Sequence, residues 1–252
     1  MMLDRKQLRQ IHGGELPLHI LEQDYIQALF LTELYREVDN LVFKGGTFLK
    51  HVHGLDRFSE DLDFTLLEDG NIEKNLKEAS TGLEDYGVKA WLSNAEEDKN
   101  SFKCRLRYQG PLYTGSEKSV GSIEVEVSKR EDIFLETDWF RTFFEYPETR
   151  VVNTLGMKKK ELLAEKLRAL SMRTKARDLY DVWFFLKQGT ELDADLFAKK
   201  MEVMSEKAVV EIGIGRDMWE NELSLLMVRP PKFEKVRTKV EKRIRESDLE
   251  FM

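Results

Sequence analysis

Apolar residues recur at spacings of three and four from Asp4 to about Asp39, with Leu18, Leu21, Tyr25, Ala28, Leu29 and Leu31 on one stripe. That period predicts helix. Leu41-Val42-Phe43 is a short apolar run stopped by Gly45-Gly46, the pattern of a buried strand and a tight turn. Residues 47–53 read as a brief helix closed by Gly54. At 61–67 the period changes to two: Asp61, Asp63 and Thr65 share one face, and Leu62, Phe64 and Leu66 share the other. A helix is predicted over 72–83, then strands over 88–92 and 102–108 separated by the polar stretch 93–101. A Gly- and Ser-containing loop leads to a second alternating strand over 123–128, with Ile123, Val125 and Val127 opposed to Glu124, Glu126 and Ser128. From about Thr154 the pattern is helical again. Gly189 closes a long apolar-periodic stretch, and Pro230-Pro231 break the chain before a last charged helix.

This order predicts an α/β (α+β) protein. A mixed α/β domain occupies 1–154, N-terminal helices included, and an all-helical domain occupies 155–252. The boundary is a shift of pattern and not a flexible linker, so the two halves are expected to pack together.

Composition narrows the class. The formal net charge of -7 argues against a protein that coats nucleic acid by bulk attraction, while leaving local patches able to bind it. One basic run covers Lys158, Lys159, Lys160, Lys166, Arg168, Arg173, Lys175 and Arg177; a second, from Arg229 to Arg245, reads as a solvated helix face. Cys104 is the sole cysteine, which excludes an internal disulfide and a cysteine-based zinc site. No apolar run approaches the ~20 residues needed to cross a bilayer, and no apolar segment follows the opening Met-Met-Leu-Asp-Arg-Lys. A cytoplasmic protein without membrane association is expected.

The chemistry centres on Lys44-Gly45-Gly46-Thr47 and Asp61-Leu62-Asp63. Carboxylates at i and i+2 of a strand project from one face and repel each other unless a cation lies between them. A hard divalent cation such as Mg²⁺, or Mn²⁺, suits oxygen ligands and is commonly completed by substrate phosphates. Paired glycines before a helix let backbone N–H groups approach a polyphosphate, where the helix dipole favours negative charge. A third acid, Glu126 or its same-face neighbour Glu124, would join the pair if its strand lies beside 61–67, giving a set able to hold two metal ions. The glycine pair lacks the spacing of a P-loop, and no His-Arg-Asp or Asp-Phe-Gly element of a protein kinase appears. His51 and His53 diverge by roughly 200° on a helix and read as surface residues, not joint metal ligands. Glu126-Val127-Ser128-Lys129 departs from the Glu-x-Lys of metal-dependent nucleases.

The run Phe43-Lys44-Gly45-Gly46-Thr47 with Arg57-Phe58-Ser59-Glu60-Asp61-Leu62-Asp63-Phe64 resembles the signature of the AbiEii-type abortive-infection toxins, members of the DNA polymerase β-like nucleotidyltransferase superfamily. Residues 161–170 (Glu-Leu-Leu-Ala-Glu-Lys-Leu-Arg-Ala-Leu) and 177–183 (Arg-Asp-Leu-Tyr-Asp-Val-Trp) resemble that family's third and fourth motifs in sequence and order. The resemblance spans roughly residues 40–186. It implies a nucleotidyltransferase fold with a mixed sheet, and transfer of a nucleoside monophosphate from an NTP to a hydroxyl, with the tRNA 3′ end as the expected acceptor. Gly45, Gly46, Thr47 and Ser59 would form the nucleotide pocket, and Asp61, Asp63 and Glu126 would bind magnesium. Lys166 would reach the nucleotide phosphates, and an acid of 177–181, preferably Asp178, would complete the site from the helical domain. Residue physics alone reads Asp178 as a helix N-cap, with Asp181 in the capping-box position. A cognate antitoxin is also implied, with no stable complex required. The rivals are phosphoryl transfer to a protein serine and a non-catalytic nucleotide-binding module.

Overall fold

The computed structural model describes residues 2–11, 16–68, 70–130 and 133–251. Contacts divide the chain into two compact units, Met1–Glu131 with Thr137–Gly156, and Asp132–Glu136 with Met157–Met252.

The first unit is built on a seven-stranded mixed sheet. In chain order its strands are β1 (Leu41–Lys44), β2 (Leu62–Leu66), β3 (Lys89–Glu97), β4 (Ser101–Gln109), β5 (Gly121–Ser128), β6 (Asp138–Thr142) and β7 (Val152–Gly156). Across the sheet they run β3-β4-β5-β2-β1-β7-β6. β2 lies parallel to β5 and antiparallel to β1, so the two alternating strands read from sequence are neighbours. Their apolar faces meet in the core, where Phe43, Phe64, Phe102, Val125 and Val127 are buried and the Phe43 and Phe64 rings stack at 5.1 Å.

Helices α1 (Arg5–Ile11), α2 (Leu18–Leu34), α3 (Gly45–His53) and α4 (Ile72–Gly82) complete this unit. Residues 12–15 of the predicted N-terminal helical stretch lie outside the described residues. The stripe on α2 predicted one buried face, yet Ile20 through Leu34 are almost wholly enclosed, polar residues included. Each buried polar group on α2 therefore needs a partner. Glu22 accepts from the Leu112 N–H at 2.5 Å, Thr32 donates to the Ala28 carbonyl at 2.7 Å, and Glu33 accepts from the Tyr86 hydroxyl at 2.7 Å.

Two strands escape the hydrophobic pattern. β6 and β7 pair antiparallel, and the stretch read as helical from Thr154 is instead the end of β7. Their core positions include Thr142 and Thr154, both fully buried, whose hydroxyls bond to each other at 2.7 Å. A satisfied hydroxyl pair does the work of apolar residues without an apolar signature. β3 also runs through the stretch read as a loop, with a register slip between Ser93 and Glu96 beside the positive-φ Asn94.

The second unit holds α5 (Lys159–Met172), α6 (Ala176–Lys187), α7 (Ala194–Glu202), α8 (Arg216–Leu226) and α9 (Phe233–Arg245). It departs from all-helical by one short parallel pair, Val209–Val210 with Glu250–Phe251. Phe233, Val236, Val240 and Ile244 bury one face of α9, and the lysines of its other face are solvated as expected. Lys200 is fully buried, held by Glu161 at 2.7 Å and Glu165 at 3.3 Å. Glu161 also accepts from the N–H groups of Phe134 and Leu135 at 2.7 and 2.8 Å, which fastens segment 133–136 to this unit. Among the described residues no helix is long and apolar enough to cross a membrane.

At Gly156 on β7 a core aromatic ring packs directly on the backbone. A Cβ there would lie 2.2 Å from Phe48 Cζ and 2.5 Å from its Cε2. Gly156→Ala is expected to destabilise by about 1–3 kcal/mol, the usual cost of overpacking, read from urea unfolding. An unchanged midpoint would show that Phe48 moves aside freely.

Candidate active site

The site is assembled where β1 turns into α3. Gly45 has φ +73°, a left-handed conformation that glycine adopts without a steric penalty. It is also roofed: a Cβ at Gly45 would lie 2.1 Å from Asp63 Oδ2. At Gly46 a Cβ would lie 2.5 Å from Ser59 Oγ and 2.8 Å from an Arg57 guanidinium nitrogen. The two glycines thus admit the Asp63 carboxylate and the Ser59–Arg57 corner onto the backbone at the start of α3. Thr47, one residue further on and buried, donates to the Asp61 carbonyl at 2.6 Å. That bond takes the Asp61 carbonyl out of the ladder, so β2 begins at Leu62 and not at Asp61 as the alternation predicted.

Strand register sets the acids. Asp63 pairs with Lys44 of β1 on one side and Glu126 of β5 on the other, and Glu126 pairs with Lys103 of β4. Register partners share a sheet face, so Lys44, Asp63, Glu126 and Lys103 form one cross-strand row. Lys103 Nζ lies 3.2 Å from Glu126. Glu124, the other candidate acid, is exposed and bonds to Arg105 at 2.9 Å. Of the two, Glu126 is the strand neighbour of Asp63.

The loop that carries Ser59 and Asp61 is held from beneath by α2. Gln27 Nε2 donates to the carbonyls of Ser59 and Glu60 at 3.1 and 2.9 Å, and Gln23 Nε2 donates to that of Glu60 at 2.7 Å. Arg57, almost fully buried, donates to the Phe58 carbonyl at 2.8 Å. Beside them Asp24 is buried against Lys50 at 2.7 Å, His51 at 3.7 Å and the Tyr146 hydroxyl at 2.6 Å. Burial alone would raise the Asp24 pKa, but the charges of Lys50 and His51 and the bonds from Lys50 and Tyr146 outweigh it and hold it below 3.8. Lys50 also lies 4.5 Å over the Phe58 ring. Gln23, Gln27 and Asp24 were not legible as site residues, because single polar residues on a helix carry no motif of their own; Arg57 lies in the signature run but was given no role there.

His51 and His53 are not surface residues. His51 turns to Asp24, and His53 packs edge-on against Phe48 and Phe140 at 5.3 and 5.5 Å. Their divergence on α3 sends them to these different neighbours.

In the second unit Lys166 is nearly buried and lies 2.7 Å from Asp181. Asp178 is fully buried and takes Arg173 in a two-point pair at 2.8 and 3.0 Å. The cap position of α6 belongs to Lys175 and not to Asp178. The first N–H groups of α6 are met by Glu222 of α8, at 2.7 Å to Ala176 and 3.4 Å to Arg177. The basic run from Lys158 to Arg177, which spans α5 and the start of α6, has several of its charges paired: Lys158 with Glu136, Lys160 with Glu191 and Arg177 with Glu222, each at 3.5–3.8 Å.

Among the described residues no three carboxylate, imidazole or thiolate groups already stand close enough to cage a metal ion. The fit of a metal therefore rests on Asp63 and Glu126 side by side, with Asp61 two residues ahead of Asp63. All three are oxygen donors, the chemistry of a hard divalent cation whose remaining sites are filled by water and phosphate. The ammonium of Lys103 against Glu126 shows that this row already attracts positive charge.

Comparison with known proteins gives the family and the fold. The family model described as nucleotidyl transferase AbiEii toxin, Type IV TA system, matches residues 29–248. MenT4, a nucleotidyltransferase toxin from Mycobacterium tuberculosis H37Rv, superposes with a TM-score of 0.68 at 21% identity, over 96% of this chain and 88% of that one. JHP933 from Helicobacter pylori superposes with a TM-score of 0.58 at 21% identity, over 92% of each chain. No curated protein matches in sequence.

Gly54 isolates the roofing of Gly45, since it is also left-handed, at φ +71°, but has nothing within 4 Å of its Cβ position. Gly54→Ala is expected to lose roughly 1–2 kcal/mol, the backbone cost alone. Gly45→Ala carries that cost plus displacement of Asp63, and is expected to lose more in denaturant unfolding. Equal losses would show that Asp63 does not depend on the bare backbone beneath it.

Proposed function

The chain belongs to the AbiEii nucleotidyltransferase toxin family, and on that premise we propose that it transfers a nucleoside monophosphate from an NTP to RNA, at the 3′ end of tRNA. Membership makes it the toxin of a toxin–antitoxin pair, with an NTP as substrate and a cognate antitoxin. The observation that carries the finer reading is Asp63, which roofs the bare backbone of Gly45 and has Glu126 as its register partner on β5. In the proposed reaction the acceptor hydroxyl loses its proton to solvent as its oxygen bonds to the α-phosphorus, the bond from that phosphorus to the oxygen bridging it to the β-phosphorus breaks, and pyrophosphate leaves with that oxygen.

Each residue has a part in that transfer. Gly45 and Gly46 admit the Asp63 carboxylate and the Ser59 hydroxyl to the start of α3, which puts those groups beside the proposed position of the phosphate oxygens. Thr47 and Gln27 fix the loop that carries Asp61. Asp61, Asp63 and Glu126 hold magnesium, which when bound neutralises charge developing at the reacting phosphate. Lys166, oriented by Asp181, is the proposed phosphate ligand of the helical unit, and Asp178 acts through Arg173. Exposed ion pairs are worth at most about 1 kcal/mol, so an RNA backbone can displace Glu136 and Glu191 from Lys158 and Lys160. Binding through those lysines would weaken steeply with added salt.

Purified protein incubated with magnesium, each labelled NTP and total RNA tests this. Label is expected in tRNA-sized RNA. Asp61→Ala/Asp63→Ala is expected to lower it by on the order of 10²–10³-fold or more, matching several kcal/mol of lost transition-state stabilisation. Label on protein alone would replace the proposal with phosphoryl transfer. Full labelling by the double variant would remove the carboxylates from the mechanism.

A further inference from the structure

β6 is the outer strand of the seven-stranded sheet among the described residues. Its alternation turns Phe140 and Thr142 toward the core and leaves Trp139 and Arg141 outside, with Phe143 continuing the outer row just past the strand. Trp139 is 55% exposed, Phe143 59% and Val151, beside the start of β7, 45%. The Arg141 guanidinium lies 5.3 Å from the Phe143 ring. A cleft of about 700 Å³ beside β6 is lined by Val38, Trp139 and Val151 together with the charged Arg36, Asp39 and Arg150. Natural sheets blunt their outer strands by shortness, charge, proline or a bulge. β6, Asp-Trp-Phe-Arg-Thr, is short and carries Asp138 and Arg141, but it has no proline or bulge and its outer row is mainly aromatic.

The backbone of β6 has a definite phase. The Thr154 hydroxyl on β7 reaches the Phe140 carbonyl at 3.3 Å, so that carbonyl points into the sheet. In an antiparallel ladder the alternate residues then point the other way. Trp139 and Arg141 therefore present their N–H and C=O groups along the open edge.

We propose that this edge pairs with the same edge of a second copy of the chain, antiparallel about a two-fold axis at Phe140. Only outward residues can exchange hydrogen bonds, so a two-fold register centres on a residue; three such registers, centred on residue 139, 140 or 141, pair at least three residues of each β6. Centring on Arg141 opposes two guanidinium groups. Centring on Trp139 uses Trp139 against itself and leaves Arg141 opposite residue 137. Centring on Phe140 sets each Trp139 against the partner's Arg141, uses the outward groups of both residues, and forms two cation–π contacts across the axis. Asp138 then faces Thr142, with no like charges opposed. Asp138 and Arg141 balance within the strand, so the edge has no excess positive charge to draw a polyanion, and a second copy suits it better than a nucleic acid. A five-residue strand pair is small beside the ~1,200 Å² of a standard interface, so the dimer is concentration-dependent.

Sedimentation analysis of the full chain across a micromolar concentration series tests the proposal, independently of catalysis. Wild type is expected to pass from monomer to dimer. Trp139→Lys opposes a lysine to the partner's Arg141, and Arg141→Glu removes the cation. Each is expected to raise the dimer Kd about tenfold or more, the loss of two cation–π contacts. Trp139→Lys/Arg141→Glu places opposite charges across the axis and is expected to restore dimerisation. Both sites are exposed, and unchanged thermal melts of the variants exclude misfolding as the cause. A wild type that stays monomeric throughout overturns the proposal, as do single variants that dimerise normally or a double variant no better than either. Wild type that stays monomeric yet binds a single-stranded RNA probe, with binding lost in Trp139→Lys, would make the edge a base-stacking surface instead.

Discussion

The site depends on one close approach, in which the segment from Arg57 to Asp63 lies directly on the backbone of Gly45 and Gly46. Side chains at either glycine would occupy space now held by the Asp63 carboxylate, the Ser59 hydroxyl and the Arg57 guanidinium. Everything else around the site serves to keep that segment in place. Thr47 holds the Asp61 carbonyl from α3, and Gln23 and Gln27 hold the Ser59 and Glu60 carbonyls from α2. Asp24 anchors Lys50 beneath the Phe58 ring. A buried polar group left without its partner costs more than its pairing gains, so these bonds specify one loop path more than they add stability.

The same logic explains why α2 is buried on nearly every side while being rich in polar residues. A central helix that is apolar all round would satisfy the core and leave the loop unguided. Glu22, Asp24, Gln27 and Glu33 instead each reach a different neighbour, at Leu112, Lys50, Ser59 and Tyr86 respectively. In the helical unit the Lys200–Glu161–Glu165 cluster fixes segment 133–136 in a comparable way. Lys166, Asp181 and Asp178, from the motifs of the helical half, form buried or half-buried ion pairs, Lys166 with Asp181 and Asp178 with Arg173.

Much of this was legible because the chemistry sits on regular elements. The period-two runs at 61–67 and 123–128 became neighbouring parallel strands, and Gly45-Gly46 became the start of α3. The choice between Glu124 and Glu126 needed the register with Asp63, which alternation cannot supply. β6 and β7 were missed because the core threonines satisfy each other and the outer aromatics break the polar–apolar rhythm. The cap of α6 was misassigned to Asp178 because its real partner, Glu222, lies 46 residues from Ala176 in sequence. Long-range partners of single polar groups leave no local signal.

We propose that Asp63, which roofs Gly45, and its β2–β5 register partner Glu126 form the metal- and nucleotide-binding pair. Titration with Mn²⁺ by electron paramagnetic resonance, with and without an NTP, tests it most directly. The account predicts bound Mn²⁺ whose affinity rises with nucleotide, and loss of that binding in Asp63→Asn and in Glu126→Gln while both remain folded. Mn²⁺ binding unchanged in both variants would contradict it.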